Sequence, residues 1–90
     1  MEKRERIDII YDMLKSIQDK NGMIKPTHLT YKANLAHRQL KLYLQELMEK
    51  NLVERMKNKE ADFIIINDNG RRFMQKIREM REFEQTFGIE

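Results

Sequence analysis

The sequence predicts a mainly α fold with one small β-hairpin, an α+β class, followed by a long C-terminal helix. Apolar residues recur at spacings of three and four in three separate segments, which is typical of amphipathic helices. Between residues 51 and 67 that spacing is replaced by two short β-prone runs around a polar turn. Charged residues make up 37% of the 90-residue chain. The usual share is about 25%, so the excess favours an extended or oligomeric molecule.

The first helix is predicted over residues 4–20 because its apolar side chains form one stripe, made up of Ile7, Ile10, Tyr11, Leu14 and Ile17. Gly22 is suited to the left-handed conformation that ends many helices. A short second helix is predicted over residues 26–33, since Pro26 is tolerated in a first turn and Asn34 follows as a helix breaker.

The third helix is predicted over residues 36–50, with one buried and one outward face. The buried face comprises Leu40, Tyr43, Leu44, Leu47 and Met48, and the outward face Arg38, Lys41, Leu42 and Gln45. Only a few residues join the second helix to the third, and the third is longer and basic on its outer face. This arrangement is typical of a helix-turn-helix.

Two strands are predicted at residues 52–57 and 61–66, with a polar hairpin tip between them. Asn67 is a favourable N-cap for a last helix, which we expect to reach Phe87 and to end at Gly88. Three helices, a hairpin and a further helix occur in the order of a winged helix-turn-helix, in which the hairpin is the wing.

The last helix has an apolar stripe that is longer than the preceding domain can cover. The stripe consists of Phe73, Ile77, Met80, Phe83 and Phe87. At 1.5 Å per residue, Phe87 lies about 21 Å beyond Phe73 along the helix axis. We therefore predict a winged-helix domain at residues 1–69 and a dimerisation helix at residues 70–90, paired antiparallel so that opposite charges lie side by side. The alternative is that this helix folds back onto the first one.

Positive charge is concentrated in the middle of the chain. Residues 21–60 carry eight basic and four acidic side chains, whereas the two ends are close to balanced. No acidic residue occurs between Asp19 and Glu46, and that interval contains Lys20, Lys25, Lys32, Arg38 and Lys41. An acid-free interval of this kind indicates a surface that binds a polyanion. The alternative is a solvated face on which the charges cluster by chance.

The outward face of the third helix carries residue types that bind base edges in the major groove of DNA. Arg38 can pair with guanine, Gln45 with adenine, and Leu42 can contact a thymine methyl group. The predicted DNA-binding residues of this helix are His37, Arg38, Lys41, Leu42 and Gln45. As alternatives, Leu42 can be an isolated exposed leucine without a role, and His37 can be half-buried.

The elements beside that helix carry residue types that bind phosphate. At the second helix these are Lys25, Thr27, Tyr31 and Lys32, of which Tyr31 is equally consistent with a core position. At the wing they are Arg55, Lys57 and Lys59, whose alternative role is to protect the edges of the strand pair. The predicted partner is therefore double-stranded DNA.

Several classes of function are disfavoured by composition. The chain has no cysteine and two histidines, so we expect no metal, no cofactor and no cysteine nucleophile. No catalytic constellation has a plausible spacing, and we expect no enzymatic activity. The longest apolar run is Phe63–Ile66, far short of the roughly 20 residues that span a membrane. The expected location is the cytoplasm, in association with the nucleoid.

The chain resembles the small archaeal winged-helix DNA-binding proteins. The similarity is carried by residues 8–14, 31–35 (Tyr-Lys-Ala-Asn-Leu), 39–44, 51–53 and 67–73. It differs from the family pattern at Asn51, where a glycine is usual, and at Ala36, where a serine or threonine commonly caps the helix. The resemblance implies a sequence-specific regulator or a chromatin-type protein that dimerises through a C-terminal antiparallel coiled coil. A different function for the same fold is that of a protein-interaction adaptor whose basic surface binds an acidic partner.

Overall fold

The structure is a computed structural model that describes residues 4–88. It confirms the predicted class, a mainly helical fold with a small antiparallel sheet. The predicted domain bounds 1–69 and 70–90 include five terminal residues, 1–3 and 89–90, that lie outside the described residues. The elements are α1 (Arg6–Asp19), β1 (Met23–Ile24), α2 (Pro26–Lys32), α3 (His37–Glu49), β2 (Val53–Lys57), β3 (Asp62–Ile66) and α4 (Asp68–Phe87).

The sheet has three strands in the order β1-β3-β2, whereas the sequence predicted a two-stranded hairpin. In the additional strand, Met23 is antiparallel to Ile65 and Ile24 to Ile64. Ile24 and Ile64 are both buried on the inner face of the sheet. A two-residue strand is too short to show an alternating pattern, which is why periodicity did not reveal it.

Left-handed asparagines lie at the ends of the first three helices. Asn21, Asn34 and Asn51 have φ values of 61°, 54° and 57°. Asparagine is the non-glycine residue that adopts this conformation most readily, so Asn51 can replace the glycine that is usual there. At the start of α4, Oδ1 of Asn67 accepts a hydrogen bond from the backbone N–H of Gly70 at 2.9 Å. The predicted N-cap is therefore confirmed, as is the end of α4 at Gly88, which has φ 67°.

The core lies between α1, the inner face of the sheet and one face each of α2, α3 and α4. Its fully buried side chains include Met13, Leu14, Ile17, Leu29, Leu47 and Ile64. Burying a side chain of this size stabilises the fold by about 1.5–3 kcal/mol. Met48 was predicted to be on the buried face of α3, but it is exposed because it lies at the edge of that face, next to β2.

The first half of α4 packs against the rest of the domain. A Cβ placed on Gly70 would lie 2.3 Å from the backbone oxygen of Leu52, so only glycine allows α4 to approach this closely. Further along, Met74 and Ile77 are buried in the core. Ile77 is only 4% exposed, so its predicted place in a dimer interface is wrong: it faces its own domain. Phe73 is partly buried against the same core.

One more turn of α4 is attached to α1. Nη2 of Arg81 lies 2.6 Å from Oδ1 of Asp8, and the guanidinium carbon lies 4.5 Å from the centre of the Tyr11 ring. Arg71, at the other end of this packed segment, lies beside Gly22, just after the end of α1. The two helices are therefore antiparallel, and α4 extends beyond the start of α1.

Candidate nucleic-acid interface

Eight of the predicted DNA-binding residues line three adjoining grooves on one side of the molecule, and a ninth, Gln45, lines the next groove along α3. One groove lies between α2 and the wing tip, one between α2 and the start of α3, and one between α3 and β2. Pro26 lines all three of these grooves, which makes the surface continuous. With the neighbouring end of α3, this surface includes Lys25, Thr27, Tyr31, His37, Lys41, Gln45, Arg55, Lys57 and Lys59. We call it the basic surface.

Three further predicted residues lie outside these grooves. Arg38 and Lys32 are exposed on α3 and α2 but line none of the three. Leu42 is 63% exposed and lies on the α1 side of α3, beside Arg6 and Glu46. Leu42 is therefore farther from the wing than Lys41 is.

Tyr31 and His37, for which the sequence also allowed a buried or half-buried position, are both solvent-exposed. Tyr31 is 80% exposed, which excludes the core position that the sequence left open. His37, the first residue of α3, is exposed rather than half-buried. Both line the groove between α2 and α3, where they are accessible to a ligand.

Most cations of this region have no carboxylate partner. Within residues 4–88, no carboxylate oxygen lies within 4 Å of the charged groups of Lys25, Lys32, Arg38, Lys41, Lys57 and Lys59. On other sides of the molecule, Arg6, Lys15 and Arg81 are each paired with an acid. Unpaired cations that share one surface attract anions and can form charge-assisted hydrogen bonds with phosphate.

Arg55 is the exception on the basic surface. Its Nε and Nη2 atoms donate to the two carboxylate oxygens of Asp62 across the hairpin, at 3.0 and 2.8 Å. These hydrogen bonds raise the pKa of Arg55 above its ordinary value and lower the pKa of Asp62 below its own. The predicted phosphate contact of Arg55 thus competes with an internal ion pair.

The wing tip is shaped by Asn58. Its Oδ1 atom accepts hydrogen bonds from the backbone N–H groups of Glu60 and Ala61, at 2.8 and 2.9 Å. Its own N–H donates to the Ala61 carbonyl at 2.8 Å. Asn58 therefore serves the turn, and Lys59 remains exposed at the tip.

A glutamine side chain forms a hydrogen bond within α3 or its cap at each end of this helix. Ala36 has no capping side chain, but its backbone N–H donates to Oε1 of Gln39 at 3.0 Å, which makes one half of a capping box. At the other end, Nε2 of Gln45 donates to Oε1 of Glu49 at 3.2 Å. Sequence reasoning missed the acidic partners of both Gln45 and Arg55. The four-residue spacing of Gln45 and Glu49 on one helix could have revealed the first, whereas the pairing of Arg55 with Asp62 depends on strand register.

The end of α4 carries a second exposed feature. Phe83 and Phe87 are 58% and 65% exposed, and their ring centres lie 4.8 Å apart. Met80 is exposed beside them. At about 100° per residue, Phe83 lies roughly 120° and Phe87 roughly 80° around the helix from the buried Ile77, on the same side, so both rings lie off the buried face of α4. We call Met80, Phe83 and Phe87 the apolar tip.

Residues 4–88 lack the features of two other classes of site. Within residues 4–88, no three histidine, aspartate or glutamate side chains are grouped so that they could hold a metal ion. No helix in that part of the chain is both long and apolar enough to cross a membrane.

A protein-family model described as winged helix-turn-helix matches residues 3–85. The chain belongs to the winged helix-turn-helix family. No curated protein matches this winged helix-turn-helix chain by sequence. The family and the fold predicted from the sequence are both confirmed.

Solved structures similar to this winged helix-turn-helix protein come from archaeal, viral and bacterial sources. Sso10a-2, a DNA-binding protein from Sulfolobus solfataricus, has a TM-score of 0.81 and 17% identity, covering 93% of this chain and 85% of its own. F93 from STIV, a winged-helix DNA-binding protein, has a TM-score of 0.75 and 14% identity, and the match covers 91% of this chain and 92% of the F93 chain. The oxidized form of MarR from E. coli has a TM-score of 0.68 and 19% identity, and the match covers 86% of this chain and 60% of the MarR chain.

Proposed function

We propose that this protein is a homodimeric DNA-binding protein that acts as a transcriptional regulator or a chromatin-type protein, without enzymatic activity, on the nucleoid in the cytoplasm. The observation that carries the proposal is the continuous basic surface, on which α2, α3 and the wing present cations without carboxylate partners. Duplex DNA carries one negative charge per about 1.7 Å of helix axis, which suits a surface of that kind. The two similar proteins whose names state DNA binding support the same choice.

In the proposed complex, α3 enters the major groove, which is about 12 Å wide and admits a helix. Arg38 pairs with guanine, Gln45 pairs with adenine, and Leu42 contacts a thymine methyl group. His37 and Lys41 lie at the groove wall. The phosphates on either side are bound by Lys25, Thr27, Tyr31 and Lys32 of the α2 region and by Arg55, Lys57 and Lys59 of the wing.

The proposed dimer forms through the apolar tip. Its two aromatic rings are too exposed to be part of the protomer core, and pairing two copies would remove them from water at about 25 cal/mol per Å². Basic residues such as Lys76 and Arg78 precede the acidic Glu82 and Glu84 on α4. Antiparallel pairing therefore brings opposite charges together.

The proposal is tested by titrating a fluorescently labelled duplex with protein at 50–200 mM salt and following anisotropy. We expect a steep fall in affinity with salt, with a logarithmic slope of about 0.9 per neutralised phosphate. Lys41→Gln with Lys57→Gln should reduce that slope. The control Lys15→Gln with Lys76→Gln removes the same charge from α1 and α4 and should leave it nearly unchanged. A flat salt response, or equal effects of the two double variants, would instead favour the adaptor function with an acidic protein partner.

Sequence reading by α3 is tested with Arg38→Ala. Loss of a bidentate contact to guanine should cost about 1–3 kcal/mol per half-site and relax the base preference in a selection from a randomised duplex pool. Lys59→Ala, the comparison, should weaken binding to all duplexes alike. An Arg38→Ala protein with unchanged affinity and preference would show that α3 is not the reading helix.

A further inference from the structure

The contact between Arg81 and α1 lies where α4 leaves the domain. Arg81 is paired with Asp8 at 2.6 Å and stacked over Tyr11 at 4.5 Å, whereas Phe83 and Phe87, farther along, are exposed. We propose that Arg81 is a positioning residue that fixes the direction in which α4 leaves the domain. It thereby sets the distance between the two reading helices of the dimer. The inference rests on the proposed function for that last step.

Arg81 increases the length over which α4 is anchored to the domain. From Gly70, packed on the Leu52 carbonyl, to the buried Ile77, the anchored segment is about 10 Å long at 1.5 Å per residue. Arg81 extends it to about 16 Å. The angle through which a rod can swing falls as its anchored length rises. The added turn therefore reduces the movement of everything attached beyond it.

Asp8, the partner of Arg81, is itself held in place. Oδ2 of Asp8 accepts a hydrogen bond from the Glu5 backbone N–H at 3.1 Å, while Oδ1 binds Arg81. Both carboxylate oxygens of Asp8 are therefore hydrogen-bonded, and its side chain holds Arg81 at a fixed position at the start of α1.

The same end of α1 also contacts α3. Arg6 forms an ion pair with Glu46, and the Glu46 side chain is only 17% exposed. Ion pairs therefore connect α4 to α1 through Asp8, and α1 to α3 through Arg6. Arg81 lies in the contact path between the apolar tip and the proposed reading helix.

A dimer that binds two half-sites is sensitive to such geometry. Half-sites are commonly one helical turn, about 34–36 Å, apart. One base pair advances by about 3.4 Å, so a displacement of that size in one domain moves its reading helix to the next base pair. Fixing the direction of α4 therefore selects one half-site spacing over its neighbours.

The direction of α4 can be measured within one protomer. The chain has no cysteine, so Gln18→Cys on α1 and Gln85→Cys on α4 place two spin labels for pulsed electron resonance. Dilution with unlabelled protein leaves only distances within a protomer. Arg81→Met should move the mean distance, or widen the distribution, by more than about 3.4 Å. Arg78→Met is the control, because it removes the same charge from an exposed position of α4 without an ion pair to residues 4–88. A distribution unchanged by Arg81→Met overturns the inference.

The consequence for spacing is measured by selection from a randomised duplex pool. The parent protein should enrich half-sites at one spacing, and Arg81→Met should enrich the same half-sites at several spacings while its circular dichroism stays that of a folded protein. A single unchanged spacing for Arg81→Met overturns the inference. If the parent protein binds no duplex at all, the proposed function and the spacing step both fail, and the label distances still decide whether Arg81 directs α4.

Discussion

At the scale of single residues, Asp62 opposes the charge of the surface to which it belongs. Its carboxylate holds Arg55 by two hydrogen bonds and adds a negative charge beside Lys57, its partner in the strand register. The wing is therefore less positive than its lysines and arginine alone would make it. An acid in this place limits non-specific affinity for polyanions.

Replacing Asp62 with asparagine is expected to raise the affinity for duplex DNA. The change removes a repulsive carboxylate and releases Arg55 to bind phosphate, so the salt slope should rise by about 0.9 per additional contact. The anisotropy titration measures both quantities. Glu60→Gln removes the same charge from the wing tip without releasing an arginine, and an equal rise in slope for this control would contradict the explanation.

The same pair predicts a dependence of stability on pH. The pKa of Asp62 is lower in the folded protein than in the unfolded chain, chiefly because of its hydrogen bonds with Arg55. Its contribution is therefore fully present above the unfolded value of about 3.9 and is lost as pH falls through the lower folded value. Urea unfolding at a series of pH values should show a shallower acid decline for Asp62→Asn. An unchanged decline would mean that the pair does not stabilise the fold.

The sequence predicted the exposure of single residues better than it predicted which side chains pair with each other. The exposure of Arg38, Lys41 and Gln45 follows from helical periodicity alone and was predicted. The pairing of Arg55 with Asp62 depends on strand register, which composition does not specify. Tyr31 is amphipathic and suits either a core or a surface, so only the packing of α2 could decide its position.

At the scale of elements, the packing of α4 depends on one glycine. Gly70→Ala would place a Cβ 2.3 Å from the Leu52 carbonyl oxygen and 2.7 Å from a methylene carbon of Ile66. Backbone cannot yield as a flexible side chain does, so α4 would have to shift. We expect a loss of about 1–3 kcal/mol of unfolding free energy in urea titration, despite the higher helix propensity of alanine. Stability equal to that of the parent protein would mean that α4 moves at no cost.

The sequence predicted which segments form helices and strands better than it predicted which face of each element packs against the core. Long periodic segments revealed the helices, and Asn51 and Asn67 marked ends that the structure confirms. On α4, apolar residues at spacings of three and four fit two adjacent faces equally well. The sequence therefore could not show that Ile77 faces the domain while Phe83 faces solvent.

At the scale of the whole molecule, α4 gives the protein an elongated shape. The described chain measures 50 × 31 × 22 Å. The apolar tip lies at the end of α4, with Met80 directly before Arg81 and the two phenylalanines after it. The predicted stripe of five dimer residues is thus reduced, since Ile77 is in the core and Phe73 is partly covered. The remaining three lie close together at the end that a second copy can reach.

Phe83→Glu with Phe87→Glu is expected to give folded monomers. The dimer interface would bury two carboxylates from each copy without partners, whereas in the monomer both positions are solvated. Sedimentation should show the loss of the dimer, and DNA affinity should fall because two linked half-site contacts become one. Gln75→Glu with Gln85→Glu adds the same charge to exposed positions away from the apolar tip and should remain dimeric. A dimer that survives the phenylalanine substitutions would place the interface elsewhere.

The short strand β1 has a consequence for the order in which the chain folds. Its pairing with β3 joins residues about forty positions apart and encloses both α2 and α3, whereas β2 and β3 meet across a tight turn. Closing the longer loop costs about 2 kcal/mol more entropy than closing the hairpin. The hairpin and helices can therefore form from local contacts, while β1 gains its hydrogen bonds only once the intervening helix pair has collapsed into place. We therefore expect the edge of the sheet next to Gly22 to be the last part of the domain to acquire native structure and the first to lose it.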